Sequence, residues 1–216
     1  MGTGPGIVAL ELANRGATVA GLDIAENQIK AARERAAEAG LAERCRFDVG
    51  RVEQMDFDAE SFDLATAGQC WIWFDKNAAI PELHRVLRPG GLLVVAHYCY
   101  LALHSELAKA TEDLILQCNP TWTMAGATGI YADHIDTLVS GGFELVEQFC
   151  YDHDRMFTHT GWRGRMRTCN GVGSGTLSED KVAEFDDALA QLLALRFPDE
   201  PVPVRHRVWA TIVRRP

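Results

Sequence analysis

The chain has 216 residues, which is enough for one α/β domain with a substantial core and too few for two comfortable domains. Hydrophobic residues make up 47% of the chain and charged residues 24%, a balance typical of a soluble globular protein. The formal net charge of -9 at pH 7 repels phosphate backbones, so we expect a small-molecule substrate and no nucleic-acid partner.

The cysteine pattern excludes two common classes of site. Six cysteines are scattered tens of residues apart, and no C-x-x-C pair is present, which argues against a zinc ribbon or a thioredoxin-like motif. The sequence opens without a signal peptide, and no apolar run approaches the length of a membrane span. We therefore expect reduced cysteines, no metal, no membrane association and a cytoplasmic location.

The first half of the chain alternates between strand-like and helix-like patterns, which is typical of a layered α/β sheet. A glycine-rich loop, Gly2 to Gly6, precedes the first helical pattern. Helices are predicted over 7–14, 27–39 and 75–86, the last with Asp75 as its N-cap, and strands over 17–22, 44–49, 62–67 and 92–96, the last following a turn at 88–91.

The second half has a looser pattern. Helices are predicted near 102–117, 132–140 and 158–169, and a long helix follows either a capping box of Thr176 and Glu179 or a direct cap by Ser178. Strands are predicted over 144–149 and 208–213, the last running antiparallel. We interpret residues 1–216 as one domain, with a cofactor-binding half at 1–97 and a substrate-covering half at 98–216.

The glycine-rich loop and Asp23 together indicate a nucleotide-type cofactor. Glycines let the backbone turn sharply and approach a ligand closely, and the helix that follows directs its free N–H groups at that ligand. Asp23 ends the next predicted strand, where a carboxylate can accept hydrogen bonds from two ribose hydroxyls. The alternative is a plain structural turn before a helix. A dinucleotide fingerprint requires a third small residue where Ile7 stands, whereas G-x-G-x-G is the form seen where adenosylmethionine binds.

Four stretches carry a resemblance to a known family: Gly2–Gly6, Leu22–Ile24, Phe62–Leu64 and Leu87–Gly91. Together they resemble class I S-adenosylmethionine-dependent methyltransferases of the methyltransferase type 11 group. The stretch Gly68–Asp75 is similar to the branch that includes trans-aconitate methyltransferase. The resemblance covers almost the whole chain and is strongest over residues 2–97. It implies a doubly wound, mostly parallel sheet and S-adenosyl-L-methionine as the cofactor.

The resemblance also implies roles for individual residues. The loop residues would lie against the methionine and ribose parts of the cofactor, Asp23 would bind the ribose hydroxyls, and Ile24 would lie against the adenine. The stretch from Gly50 to Glu53 would close over the adenine, and Gln69 would face the methionine part or the substrate. The implied cofactor-binding residues are Gly2, Thr3, Gly4, Gly6, Asp23, Ile24, Val52, Glu53 and Gln69.

The chain departs from the family pattern in two places. Arg51 stands where many members have an acidic residue for the adenine amino group, so adenine recognition would pass to backbone groups of Val52 or to Asp48. The strand that should precede the glycine loop, in the middle of the sheet, is missing, because Met1 is followed at once by Gly2. Either the start codon is misplaced, or the chain was shortened, or another segment fills the gap.

Candidate substrate and catalytic residues lie beyond the cofactor motif. His97 could act as a general base at the carboxyl edge of the sheet, or be a structural histidine. Trp71, Trp73 and Tyr98 are candidates for the substrate pocket, although aromatic residues at such a junction are often core residues. Arg163 and Arg165 could clamp a substrate carboxylate, or belong to a solvated helix face.

We therefore expect methyl transfer from S-adenosylmethionine to an oxygen, nitrogen or carbon of a small molecule, with catalysis mainly by positioning. Two alternatives stay open. A truncated, non-catalytic methyltransferase-like protein is favoured by the missing first strand. A nicotinamide-dependent oxidoreductase is disfavoured by Ile7 and by the antiparallel last strand.

Overall fold

Helices and strands alternate along the computed structural model, which describes residues 1–173 and 175–216. The helices are α1 (Ile7–Asn14), α2 (Glu26–Glu38), α3 (Lys76–Val86), α4 (Glu106–Cys118), α5 (Ala132–Ser140), α6 (His159–Met166) and α7 (Glu179–Arg196). The strands are β1 (Val19–Asp23), β2 (Cys45–Val49), β3 (Phe62–Gly68), β4 (Leu87–Tyr100), β5 (Glu144–Phe157) and β6 (Val202–Arg214).

The chain divides into two compact units. The first comprises residues 1–97, 131–149 and 210–216, and the second comprises residues 98–130 and 150–209. The boundary after His97 coincides with the end of the predicted cofactor-binding half. Residues 131–149 and 210–216 return to the first unit, however, so the units are not simply the two halves of the sequence.

Side-chain caps fix the starts of several helices. The Asp75 carboxylate accepts a hydrogen bond from the Asn77 N–H at 3.0 Å, as predicted for the start of α3. At α7 the Ser178 hydroxyl accepts from the Lys181 N–H, so the direct cap is the correct one of the two alternatives. Thr158 caps α6 in the same way, accepting from the Gly161 N–H at 3.0 Å.

The strands form a mixed sheet in two pieces. One piece is the parallel pair β1–β2, and the other has the strand order β3-β4-β6-β5, with β3 and β4 parallel. Arg215, just after β6, donates to Gly91 of β4 and accepts from Gly90, the reciprocal bonding of antiparallel strands. The predicted α/β fold and its antiparallel last strand are therefore confirmed.

The predicted turn at 88–91 is placed differently by the structure. Strand β4 already begins at Leu87, and its register with β3 shifts between the pairs Phe62↔Leu87 and Leu64↔Leu92. The four residues between Leu87 and Leu92 are therefore a bulge within the strand, and Gly90 takes a left-handed φ of 79° there.

In the described residues the sheet is interrupted between β1 and β3. Strand β1 pairs with β2 on one side, β3 pairs with β4, and no strand of the described chain joins β1 to β3. A cavity of about 810 Å³ lies between them, lined by Val19, Ala20, Leu22 and by residues 61–66. This gap matches the predicted position of the missing central strand.

Each unit has its own apolar core. In the first unit, Ala9 of α1 packs with Ile29, Ala32 and Ala36 of α2 and with Phe47 of β2. In the second, Trp162 of α6 and Phe185 and Leu189 of α7 pack with residues of α4 and β6. Over the residues that the structure describes, no helix is both long and apolar enough to cross a membrane.

Candidate cofactor and substrate site

The glycine loop has the backbone conformation that its sequence predicts. Gly2, Gly4 and Gly6 all have left-handed φ angles, of 52°, 51° and 82°. A Cβ atom on Gly2 would lie 2.7 Å from the Cβ of Cys70, and one on Gly6 would lie 3.2 Å from the Cβ of Ala32. The loop is therefore restricted to glycine at these positions by backbone strain and by close packing.

Asp23 ties the loop to the carboxyl end of β1. Its Oδ2 accepts a hydrogen bond from the Gly4 N–H at 2.8 Å, and its Oδ1 accepts from the Ala25 N–H at 3.0 Å. A carboxylate can accept about four hydrogen bonds. The two oxygens thus keep acceptor capacity for hydroxyl donors while the loop holds the carboxylate in place.

Exposed apolar side chains follow Asp23 and the glycine loop in the sequence. Ile24 is 69% exposed, and Ile7 and Val8, at the start of α1, are also exposed. The N-cap residue of α1 is Gly6, which offers no side-chain cap to the first-turn N–H groups. A ligand with a flat apolar ring and a polar part would match this combination.

The stretch from Gly50 to Glu53, predicted to close over the adenine, begins next to Asp23. The Gly50 N–H donates to the Asp23 carbonyl at 3.0 Å. The Val52 side chain is buried, so only its backbone groups are candidates for adenine recognition. Glu53 accepts from the Asp75 N–H at 3.0 Å and pairs with Arg51 at 3.4 Å, which links this stretch to the start of α3.

Gln69 follows the end of β3 in a strained conformation. Its φ of 66° is left-handed, which is uncommon for a residue with a side chain, and its side chain is exposed. Its N–H donates to the Ala96 carbonyl at 2.8 Å, which joins the ends of β3 and β4. Strained residues of this kind cluster at ligand sites, and the role of Gln69 toward the methionine part or the substrate stays a prediction.

His97 is buried at the end of the part of β4 that belongs to the first unit, with 2% exposure. Its ring stacks on Tyr131 with centroids 3.9 Å apart, and its Nε2 lies 3.2 Å from Nε2 of His134. Burial, with a smaller contribution from His134, lowers the pKa of His97 to about 4. His97 is therefore neutral at pH 7 and a weak base.

The two tryptophans differ in their surroundings. Trp71 is fully buried, makes an edge contact with Phe74 and has Lys76 over its ring at 6.0 Å. Trp73 is 64% exposed. Of these two predicted pocket residues, only Trp73 presents its ring at the surface of the first unit, while Trp71 has the environment of a core residue.

The remaining substrate candidates lie in the second unit. Tyr98 stacks on His206, with ring centroids 4.8 Å apart, and on His153 at 5.6 Å. Arg163 forms a two-pronged ion pair with Asp186 of α7. The guanidinium of Arg165 lies over the Tyr100 ring, 5.8 Å from its centroid.

The predicted arginine clamp stays a prediction. The basic stretch around Trp162 is distributed over two elements, with His153 and Arg155 on β5 and Arg163 and Arg165 on α6. The ion pair of Arg163 with Asp186 favours the alternative of a solvated, paired helix face for that residue. A clamp by Arg163 would require the pair to open.

Two contacts of the site were not predicted from the sequence. Cys70 donates to the Met1 carbonyl with Sγ 3.1 Å from the oxygen and packs against Gly2, and burial raises the pKa of its thiol to about 11. His134 meets His97 from α5, about forty residues further along the chain. No local pattern predicts these two contacts, because both depend on the tertiary fold.

Comparison with known proteins agrees with this geometry. Residues 1–95 match the family model of a methyltransferase domain. Over 115 residues the chain is 38% identical to the methyltransferase GfsG of Streptomyces halstedii, covering 52% of this chain and 41% of that protein. It is 32% identical over 96 residues to a sterol 4-C-methyltransferase of Caenorhabditis elegans, covering 44% and 29%.

A solved structure with the same fold is the geranyl diphosphate C-methyltransferase of Streptomyces coelicolor, described in complex with Mg²⁺, geranyl-S-thiolodiphosphate and S-adenosyl-L-homocysteine. It aligns with a TM-score of 0.56 at 14% identity, over 100% of this chain and 68% of that one. At this identity the likeness concerns the fold.

Residues 1–95 are therefore similar to class I methyltransferase domains, the class whose cofactor is S-adenosyl-L-methionine. The chain spans less than half the length of the curated relatives described above. The residues present fit that cofactor. The left-handed glycine loop, the Asp23 carboxylate with spare acceptor capacity and the exposed Ile24 lie together at the carboxyl end of β1.

Proposed function

We propose that the chain transfers a methyl group from S-adenosylmethionine to a small organic molecule. The observation that carries the proposal is the pair of hydrogen bonds from Gly4 and Ala25 to the two oxygens of Asp23. They hold the carboxylate that would bind the ribose beside the glycine loop, so a cofactor would meet groups that are already in position. A preformed site loses little entropy on binding, which favours tight and specific recognition.

The chain's own residues then act mainly by binding and orientation. S-adenosylmethionine supplies an electrophilic methyl group on a sulfonium. Asp23 would accept from the ribose hydroxyls, Ile24 would cover the adenine, and Gln69 would contact the methionine part. Since His97 has a pKa of about 4, we assign it the orientation of neighbouring groups by neutral hydrogen bonds instead of strong general-base catalysis.

A small-molecule acceptor is supported by charge and by the relatives. The net charge of -9 disfavours a nucleic-acid substrate. The relatives include a sterol 4-C-methyltransferase and a C-methyltransferase of ubiquinone/menaquinone biosynthesis. We infer that the acceptor is a small organic molecule, with a carbon or an oxygen as the methylated atom. The six free cysteines support the cytoplasm as the location.

The experiment is transfer of a tritium-labelled methyl group from S-adenosylmethionine to a panel of apolar and carboxylate-bearing acceptors. Transfer that depends on the protein and is lost in the Asp23→Asn variant supports the proposal. Absence of transfer to every acceptor, with the cofactor bound, would favour a non-catalytic binding protein.

A further inference from the structure

The second unit contains a cluster of aromatic rings around His206 of β6. The centroid of the His206 ring lies 4.8 Å from that of Tyr98 and 5.6 Å from that of Phe157, in stacked arrangements. The ring centroids of His153 and Tyr100 lie 6.3 and 6.4 Å from it. His206 is fully buried and His153 is exposed, so the cluster extends from the interior of the unit to its surface.

The hydrogen bonding of His206 identifies an unused buried acceptor. Its Nδ1 lies 2.8 Å from the Val204 carbonyl oxygen, and since a carbonyl oxygen only accepts, Nδ1 carries the proton. Burial is the main cause that lowers the pKa of His206 to about 4, so the ring is neutral at pH 7. Its Nε2 is therefore an acceptor, and this buried atom has no partner in the part of the chain that the structure describes. A hydroxyl donor from a ligand would satisfy it.

Two arginines beside the cluster have no carboxylate partner. The guanidinium of Arg165 lies 5.8 Å from the centroid of the Tyr100 ring, and that of Arg155 lies 5.2 Å from the centroid of the Phe157 ring. Each guanidinium thus lies over a ring that packs against His206. Among the described residues neither arginine forms an ion pair, and the buried Nε of Arg165 has no hydrogen-bond partner.

The acidic groups closest to this part of the unit are already engaged. Arg163, two residues before Arg165, binds both oxygens of Asp186. The buried carboxyl group of Glu112 accepts from the Gly126 N–H at 2.8 Å. The two unpaired guanidinium groups therefore leave an excess of positive charge, which an anionic ligand would offset.

We propose that this cluster binds an aromatic hydroxy acid, a planar ring with a hydroxyl group at one end and a carboxylate at the other. The hydroxyl donates to Nε2 of His206, and the carboxylate pairs with the guanidinium groups of Arg155 and Arg165. The ring of the ligand takes the place of the exposed His153 ring and stacks on Tyr98. That this ligand is the methyl acceptor rests on the function proposed above.

Calorimetric titration of para-hydroxybenzoate into the 216-residue chain, with and without S-adenosylhomocysteine, tests the site. We expect saturable binding. Affinity should fall at least tenfold for methyl para-hydroxybenzoate, which lacks the charge, and about fivefold or more for benzoate, which lacks the hydroxyl. Equal affinity for the three compounds, or no binding of para-hydroxybenzoate under either condition, would overturn the proposal.

Variants of the chain locate the bound ligand. Arg165→Gln should weaken binding at least tenfold. Arg196→Gln, which removes an exposed guanidinium over the Phe197 ring, should leave it unchanged. His206→Phe should bind para-hydroxybenzoate and benzoate equally, because the new ring has no acceptor atom. His153→Ala should bind at least as tightly as the wild type, because the ligand no longer displaces a ring. Equal effects of Arg165→Gln and Arg196→Gln would overturn the proposed site.

Thermal unfolding of each variant distinguishes loss of the site from loss of the fold. If His206→Phe does not fold, the comparison of the three compounds and the two arginine variants decides. Methyl transfer to other acceptors without binding of para-hydroxybenzoate would overturn this inference and leave the proposed function intact. Selective binding of para-hydroxybenzoate without methyl transfer to any acceptor would support the site and contradict the proposed function.

Discussion

Gly2 combines a left-handed backbone with tight packing against Cys70. Its φ is 52°, and an added Cβ would meet the Cβ and Sγ atoms of Cys70 at 2.7 and 2.8 Å. Gly40 has a similar φ of 68°, but nothing lies within 4 Å of its hypothetical Cβ. A substitution at Gly40 therefore introduces backbone strain alone, whereas the same substitution at Gly2 adds a steric overlap with Cys70.

We expect Gly2→Ala to displace the loop from Cys70 and to lower affinity for S-adenosylhomocysteine at least tenfold, with a loss of unfolding free energy of roughly 1–3 kcal/mol. Gly40→Ala should lose about 1 kcal/mol and bind normally. Calorimetric titration and urea denaturation measure the two effects. Equal affinities of the two variants would show that the packing against Cys70 does not shape the site.

For individual residues, the sequence predicts the members of the motif well, but it does not predict which distant residues they contact. The glycine loop and Asp23 follow from local spacing, because loop, helix and strand are joined within about twenty residues. The contacts of Cys70 with Gly2 and of His134 with His97 join distant segments, and no local pattern encodes them. The burial of Trp71 beside the exposed Trp73 likewise depends on how α3 packs.

Among the elements, α6 and α7 are joined by an ion pair. Arg163 of α6 binds both carboxylate oxygens of Asp186 on α7, and Arg167 binds the same carboxylate at 2.9 Å. Both members of the first pair are largely shielded from solvent. A shielded ion pair with two hydrogen bonds stabilises the folded state more than an exposed pair with a single contact does.

Substitution of Arg163 by alanine should therefore lower the free energy of unfolding by about 1–2 kcal/mol, with the substrate KM unchanged. Lys181→Ala removes an exposed pair with Glu184 on α7 alone and should cost less than about 0.5 kcal/mol. Urea denaturation and steady-state kinetics provide the two readouts. A sharp rise in KM at unchanged stability would instead support the carboxylate clamp.

The length of β5 was underestimated from the sequence pattern. The prediction for β5 stopped at residue 149, but the strand continues to Phe157 through the polar stretch Asp152–Arg155. Arg205 and Arg207 on β6 pair with Asp154 and Asp152. Such cross-strand pairs stabilise a polar strand through a partner some fifty residues away, which a search for apolar runs does not detect.

The whole molecule should lose stability in mild acid because two histidines are buried in neutral form. Burial is the main cause that lowers the pKa of His97 and of His206 to about 4. In the unfolded chain each would titrate near pH 6.5. Since the unfolded state binds more protons below that pH, these groups reduce stability as the pH falls from about 6.5 to 4.

We expect His206→Gln to reduce this pH dependence, with the free energy of unfolding falling less between pH 7 and pH 4.5 than in the wild type. The difference should be about 2–3 kcal/mol. His104→Gln, at an exposed position, should keep the wild-type dependence. Urea denaturation at the two pH values measures it. If the free energy of unfolding of His206→Gln and of the wild type fell equally between the two pH values, burial of His206 would not oppose its protonation in the folded state.

The fold class of the whole molecule follows from the alternation of helices and strands. The described chain has separate β1–β2 and β3-β4-β6-β5 pieces beside the glycine loop, where the family pattern places a further strand. The division into two units was only partly predictable. Residues 131–149 and 210–216 return to the first unit through long-range pairing, which local patterns do not encode.

We infer that Asp23 and the glycine loop form an S-adenosylmethionine site. Calorimetric titration of S-adenosylhomocysteine into the wild type, Asp23→Asn and Asp136→Asn tests it most directly. We expect micromolar binding by the wild type and by Asp136→Asn, which changes an exposed carboxylate of α5. Asp23→Asn should bind roughly 10- to 100-fold more weakly, the cost of losing hydrogen bonds to a charged acceptor. No binding by the wild type, or equal binding by Asp23→Asn, would contradict the account.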